Sequence, residues 1–236
     1  MINPNKIICA LDFNDFSKAE EFILSIKYDI VFKVGMEFFF NFGFEGVKKI
    51  ASLKSDVKIF LDLKLHDIPN TVSMALWPIL KKIKPFMMTL HISGGKKMLE
   101  KSVVTINDIS NKYDFNKPIV LGVTILTSLN DLDLLEMGHS KPAVEYVKKY
   151  AKIAKESGLD GIVCSPLEIL ALKKIFSNSL KIVTPGIRIK KNMSDDQARF
   201  LSPNEAFQRG SDFIVMGRPL TQADKPNEVL KDIIKN

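Results

Sequence analysis

Short apolar runs rich in β-branched residues alternate with longer stretches of helical period along the whole chain. The runs are Ile7–Leu11, Ile30–Val34, Val57–Leu63, Phe86–His91, Ile119–Leu126, Gly161–Cys164, Lys181–Thr184 and Phe213–Met216. Near-continuous hydrophobic segments of this length read as strands buried on both faces of a parallel sheet. Between them, Ser17–Lys27, Thr71–Ile83, Lys96–Ser110, Pro142–Ser157 and Pro203–Arg209 repeat their apolar residues at helical spacing. Ser17 is the expected cap of the first, Pro69 stands near the first turn of another, and Gly158 follows a last turn. Eight strands alternating with helices predict an α/β protein, a (β/α)8 TIM barrel forming one domain over 1–236. A doubly wound open sheet is the alternative. No linker, low-complexity tract or short repeat interrupts the alternation.

Composition narrows this only a little. At 236 residues and 46% hydrophobic content the chain can bury one large core. No run reaches the roughly 18 apolar residues of a membrane span. Met1 to Ala10 lacks a basic segment leading into a signal-peptide core, so a cytoplasmic protein is expected. Cys9 and Cys164 lie inside strand-like runs and read as small core residues, not a disulfide or a metal pair. The net charge of +7 comes largely from lysine pairs at helical positions, such as Lys48-Lys49, Lys81-Lys82 and Lys148-Lys149. These read as solvated helix faces with a modest pull on anions, not as a nucleic-acid surface.

In a parallel barrel the chemistry sits at the C-terminal ends of the strands. There this chain places Asp12, Lys33, Asp62 with Lys64, Thr127-Ser128, Gly186-Ile187-Arg188 and Gly217-Arg218. The densest signal is Asp62-Leu63-Lys64-Leu65-His66-Asp67-Ile68-Pro69-Asn70-Thr71. Asp62 and Lys64 share a strand face, and Asp67 follows where a helix begins. Charges at the end of a core strand are costly unless they pair or do chemistry. Gly217 lets a backbone N–H approach an anion, and Arg218 offers a planar fork for phosphate oxygens. The irregular segment Gly186 to Ser202, with Arg188, Lys190, Lys191 and Gln197, reads as a lid over that phosphate. No Walker or Gly-x-Gly-x-x-Gly sequence suggests a nucleoside triphosphate or NAD. Plainer readings stand beside these. Asp67 can cap a helix, Asp12 can start a turn, and Lys33 can reach out to solvent. His66 and His91 can be structural, and His139 a surface residue. Phe38-Phe39-Phe40 can be helix core or a dimer contact.

Taken together, the chain resembles the orotidine 5′-phosphate decarboxylases of bacterial type over nearly its full length. The resemblance rests on the Asp62–Thr71 block, with Ala10-Leu11-Asp12, Phe32-Lys33-Val34-Gly35, Leu126-Thr127-Ser128, Thr184-Pro185-Gly186-Ile187-Arg188, Asp196-Gln197-Ala198-Arg199 and Met216-Gly217-Arg218-Pro219 in the same order. Leu65 departs from the family's usual Phe at a position expected to face the barrel wall. The resemblance implies a metal- and cofactor-free homodimer that converts orotidine 5′-monophosphate to UMP and CO2, the last step of de novo pyrimidine nucleotide synthesis, with no nucleic-acid or membrane partner. It implies Lys64 as proton donor to C6, Asp62 beside the leaving carboxylate, and Lys33 as its neighbour. Asp67 and Thr71 would reach the partner's site. Asp12 would bind ribose, Thr127 the base, and Gln197, Arg218 and the Gly217 amide the phosphate; Arg188 would lie on the substrate side. The nearest rival, a Mg²⁺-dependent sugar-phosphate decarboxylase of the same barrel type, carries Glu where this chain has Lys33. A protonated ammonium cannot ligate a divalent cation. A second rival, a non-catalytic binder of nucleic acid or nucleotide phosphates, leaves the Asp–Lys–Asp cluster unexplained.

Overall fold

Within each apolar run, alternate residues face inward and outward, and the computed structural model, which describes residues 1–188 and 201–235, follows that parity. Strands β1 (Ile7–Ala10), β2 (Val31–Val34), β3 (Lys58–Leu65), β4 (Met87–His91), β5 (Ile119–Val123), β6 (Gly161–Val163), β7 (Lys181–Thr184) and β8 (Phe213–Met216) form a closed barrel. Neighbours pair in chain order and in parallel, and β1 closes on β8. The open-sheet alternative is thereby excluded. Inside the barrel, Ile8, Val31, Phe60, Met87, Leu121, Val183 and Val215 form one apolar layer. Outside it, a larger core packs the strands on the helices.

The helices are α1 (Phe16–Ser25), α2 (Met36–Ala51), α3 (Pro69–Lys82), α4 (Lys96–Lys112), α5 (Asp131–Glu136), α6 (Ala143–Glu156), α7 (Ile169–Phe176), α8 (Pro203–Gln208), α9 (Arg218–Thr221) and α10 (Pro226–Lys235). Asp15, not Ser17, caps α1: its carboxylate accepts the Ser17 and Lys18 amides, which leaves Ser17 inside the first turn. Pro69 opens α3, where a missing N–H costs nothing. Gly158 follows α6 at φ +79°, a conformation that favours glycine. Asp160 and Asp212, just before β6 and β8, each accept a backbone N–H of the preceding strand at 2.8 Å, Val120 and Ile182 respectively. Both pair with lysines, Lys117 and Lys173, and pin the lower barrel.

Cys9 and Cys164 are free and buried, and burial raises both thiol pKa values. Phe38 is fully buried in α2 while Phe40 is exposed. His139 is half-buried, its ring edge-on to Tyr146 at 4.6 Å. No helix among the described residues is long and apolar enough to cross a membrane.

Candidate active site

One step above the apolar interior layer, the same parity changes the chemistry. Val31 is followed two residues on by Lys33, Phe60 by Asp62, and Met87 by Thr89, so three adjacent strands aim polar groups at one point. Asp62 is buried, and its Oδ2 lies 3.0 Å from Lys64 Nζ and 3.6 Å from Lys33 Nζ. Lys33 also lies 3.7 Å from Asp12 Oδ1. Asp12, Lys33, Asp62 and Lys64 thus form a chain of alternating charge that runs from the exposed Asp12 to the buried Asp62, which faces two ammonium groups. At Gly35 a Cβ would come within 3.1 Å of Lys33 Nζ, so the glycine makes room for that ammonium.

The local backbone is irregular where the lysine sits. Between the pairs Leu61↔Met88 and Leu65↔Leu90, β3 advances four residues against two on β4. This bulge bends the strand end and re-aims its side chains. Lys64 takes φ +50° there, at a cost of about 1–3 kcal/mol for a residue with a Cβ. Its N–H donates to Thr89 Oγ1 at 2.9 Å. Leu65 is half-buried and packs on the outer core, as a wall residue should.

Lys33, Phe60, Asp62, Lys64, Val123, Ile125, Leu126, Thr127, Val163, Pro185 and Val215 line a cavity of about 240 Å³ over this array. Its floor on β2 and β3 is charged, and its wall from β5 to β8 is apolar. The wall exists because β5 stops at Val123, earlier than its apolar run. Thr124 Oγ1 donates to the Val163 carbonyl at 2.8 Å, and Ile125 and Leu126 leave the sheet. A larger hollow, about 640 Å³, opens at the other end of the barrel beside Lys58, Lys84 and Lys117. Those lysines are engaged with Asn5, the Phe115 ring and Asp160, so they form no comparable reactive array.

The family model described as the orotidine 5′-phosphate decarboxylase / HUMPS family matches residues 5–233. The chain belongs to that family. It is 44% identical over 229 residues to an orotidine 5′-phosphate decarboxylase of Dictyoglomus thermophilum, covering 96% of this chain and 93% of that one. It is 42% identical over 230 residues to the enzyme of that name from Actinobacillus succinogenes, covering 97% and 96%. Among solved structures, the orotidine 5′-phosphate decarboxylase of Lactobacillus acidophilus superposes with a TM-score of 0.85 at 35% identity, covering 98% of each chain.

Within this decarboxylase-family chain the expected residues fall into three groups. Asp12, Lys33, Asp62 and Lys64 meet in one array, and Thr127 joins them at the cavity. Gly217 lies beside Asp12: a Cβ there would sit 3.7 Å from Asp12 Oδ2, and the exposed Arg218 follows as the first residue of α9. Arg188 is half-buried on the same rim, its N–H donating to the Leu201 carbonyl. Asp67 and Thr71 stand apart, exposed around the start of α3. Asp67 accepts the Ile68 amide, is not the helix cap, and makes no ion pair among the described residues. Gln197, Lys190 and Lys191 lie outside the described residues. Sequence reasoning missed Thr89, and it quoted Gly35 within a motif without seeing the room it leaves for Lys33. Beside the array, the Ser93 hydroxyl bonds His91 Nδ1 at 2.6 Å and lies 3.4 Å from His66 Nε2. Burial, then His66 and Lys64, lowers the His91 pKa below 6.5.

Proposed function

We propose that this chain decarboxylates orotidine 5′-monophosphate to UMP and CO2 as a metal-independent, cytoplasmic homodimer, the whole chain acting as one catalytic barrel. The observation that carries the reading is the buried Asp62 carboxylate shared by two ammonium groups beneath a cavity with an apolar wall. A flat pyrimidine suits that wall, and its C6 carboxylate suits the lysine side of the array.

Breaking the C6–CO2 bond leaves the electron pair in an sp2 orbital that ring conjugation stabilises poorly. Lys64 supplies a fixed positive charge beside that pair and then transfers an Nζ proton to C6, leaving a neutral amine that solvent reprotonates. Asp62 Oδ2, 3.0 Å from that Nζ, holds the ammonium in place before the transfer. Proton donation contributes about 10²–10⁴-fold, roughly 3–5 kcal/mol. The remainder of a large acceleration is assigned to the preset charges and to phosphate binding energy gathered remotely through Arg218 and Gly217. Asp12 holds the ribose and Thr127 the base edge, while Arg188 and Gln197 serve the substrate side and the phosphate.

The family model spans a second activity class, and Lys33 separates the two. An ammonium paired with two carboxylates replaces the acidic ligand that a Mg²⁺ site would require. The test is the fall in ultraviolet absorbance of orotidine 5′-monophosphate on mixing with protein in excess EDTA. Steady decay is expected, and no decay, or decay abolished by the chelator, overturns the reading.

The homodimer reading is supported by the exposed carboxylate of Asp67 together with exposed Ile68, Met74 and Phe40. If each site takes Lys64 from one subunit and Asp67 from the other, mixing inactive Lys64→Ala and Asp67→Ala proteins creates one intact site per mixed dimer. About a quarter of wild-type activity then returns. Absence of any recovery after subunit exchange contradicts the shared site.

A further inference from the structure

We propose that Thr89 is a positioning residue for the decarboxylation, its buried hydroxyl fixing both the Asp62 carboxylate and the Lys64 backbone. The inference rests on the function proposed above and extends it to a residue on the neighbouring strand.

Thr89 is 1% exposed, in the middle of β4, with its side chain in the barrel interior two residues above Met87. Its Oγ1 accepts the Lys64 N–H at 2.9 Å, so its single proton is committed elsewhere. The acceptor is Asp62 Oδ1, at 3.0 Å. Oδ1 is therefore occupied from below, and Oδ2 is the oxygen turned to Lys64 and Lys33. One hydroxyl links the two charged residues and clamps the bulge that holds Lys64 at positive φ. A strained backbone persists only where its surroundings over-determine it, and this hydrogen bond is the contact made by the strained residue's own amide.

Valine has the shape of threonine but neither donates nor accepts. Thr89→Val leaves the Lys64 N–H and Asp62 Oδ1 without partners, and the carboxylate is free to rotate away from its lysines. Losing a hydrogen bond to a charged group corresponds to roughly 10- to 100-fold, expected here in kcat. KM should move less than about threefold, because ribose and phosphate are held from other strands. Thr89→Ser restores the hydroxyl and should keep kcat within about threefold of wild type. Thr89→Ala, measured beside valine, removes the hydroxyl without its bulk and should also lose kcat.

Amide hydrogen exchange at Lys64 gives a readout free of turnover. The valine and alanine proteins should exchange faster at that amide, and the serine protein should keep its protection. A valine protein with wild-type kcat overturns the proposal. So does a serine protein as slow as valine, a loss carried by KM alone, or unchanged Lys64 exchange. A wild-type protein inert toward orotidine 5′-monophosphate would sink the functional reading, while the exchange data would still decide whether Thr89 clamps Lys64 and Asp62.

Discussion

Asp62→Asn removes one charge, keeps the side-chain size and retains an acceptor for the Thr89 hydroxyl. The lost charge is shared by Lys64 at 3.0 Å and Lys33 at 3.6 Å. At an effective dielectric constant of about 20, each attraction amounts to about 5 kcal/mol. Desolvation of the ions opposes most of that, and breaking a buried pair costs about 3–5 kcal/mol. The Lys64 side chain is 31% exposed, so solvent screening lowers the expected loss to about 2–4 kcal/mol. In a chain of this size that corresponds to a fall in Tm of about 5–15 °C. Calorimetry at neutral pH reads it directly. The double variant Lys33→Met with Asp62→Asn removes one of the two orphaned ammonium groups and should recover part of the loss, the coupling being read from the cycle. A fall below about 2 °C, or a double variant no more stable than the single, refutes the idea that the two lysines share this carboxylate.

Two further outcomes follow from the same geometry. Arg218→Ala should lower kcat/KM by about 100-fold or more although it lies on the rim, because remote phosphate binding is spent on the reacting centre; an unchanged kcat/KM contradicts this. His91, whose pKa is held below 6.5 by burial and by His66 and Lys64, takes up protons less readily folded than unfolded. Its contribution to stability is complete above the unfolded value near 6.5 and is lost as pH falls through the interval to the lower folded value. His91→Gln should therefore lose less Tm than wild type as pH falls below about 6.5, and an equally steep decline in both proteins contradicts it.

The barrel was legible because every strand is a bounded apolar run. The limits of β7 and β8 agree with the sequence expectation residue for residue, whereas β1, β5 and β6 end one to three residues early. Leu11 still donates to the Lys33 carbonyl after β1 ends, so the error there is one of definition. At β5 the Thr124 N–H likewise still reaches the Val163 carbonyl, which its hydroxyl also bonds, and only Ile125 and Leu126 leave the sheet. Of the helices, α2 is kinked at Gly43, φ +58°, and α5 and α7 are only 6 and 8 residues long. The charged members of the site announced themselves because buried charge is rare. Thr89 did not, since threonine is an ordinary strand residue. Its signal was its parity with Met87, visible only once β4 is set beside β3. The β3 bulge was hidden for the same reason: a shift in register belongs to two strands, not to one.

The Lys64 ammonium is the central group of the site, and the rate of orotidine 5′-monophosphate consumption by Lys64→Ala against wild type tests its role most directly. Loss of both the proton donor and its field predicts a fall in kcat of at least about 10²-fold, with UMP still bound. A variant turning over within about tenfold of wild type would mean that another group protonates C6.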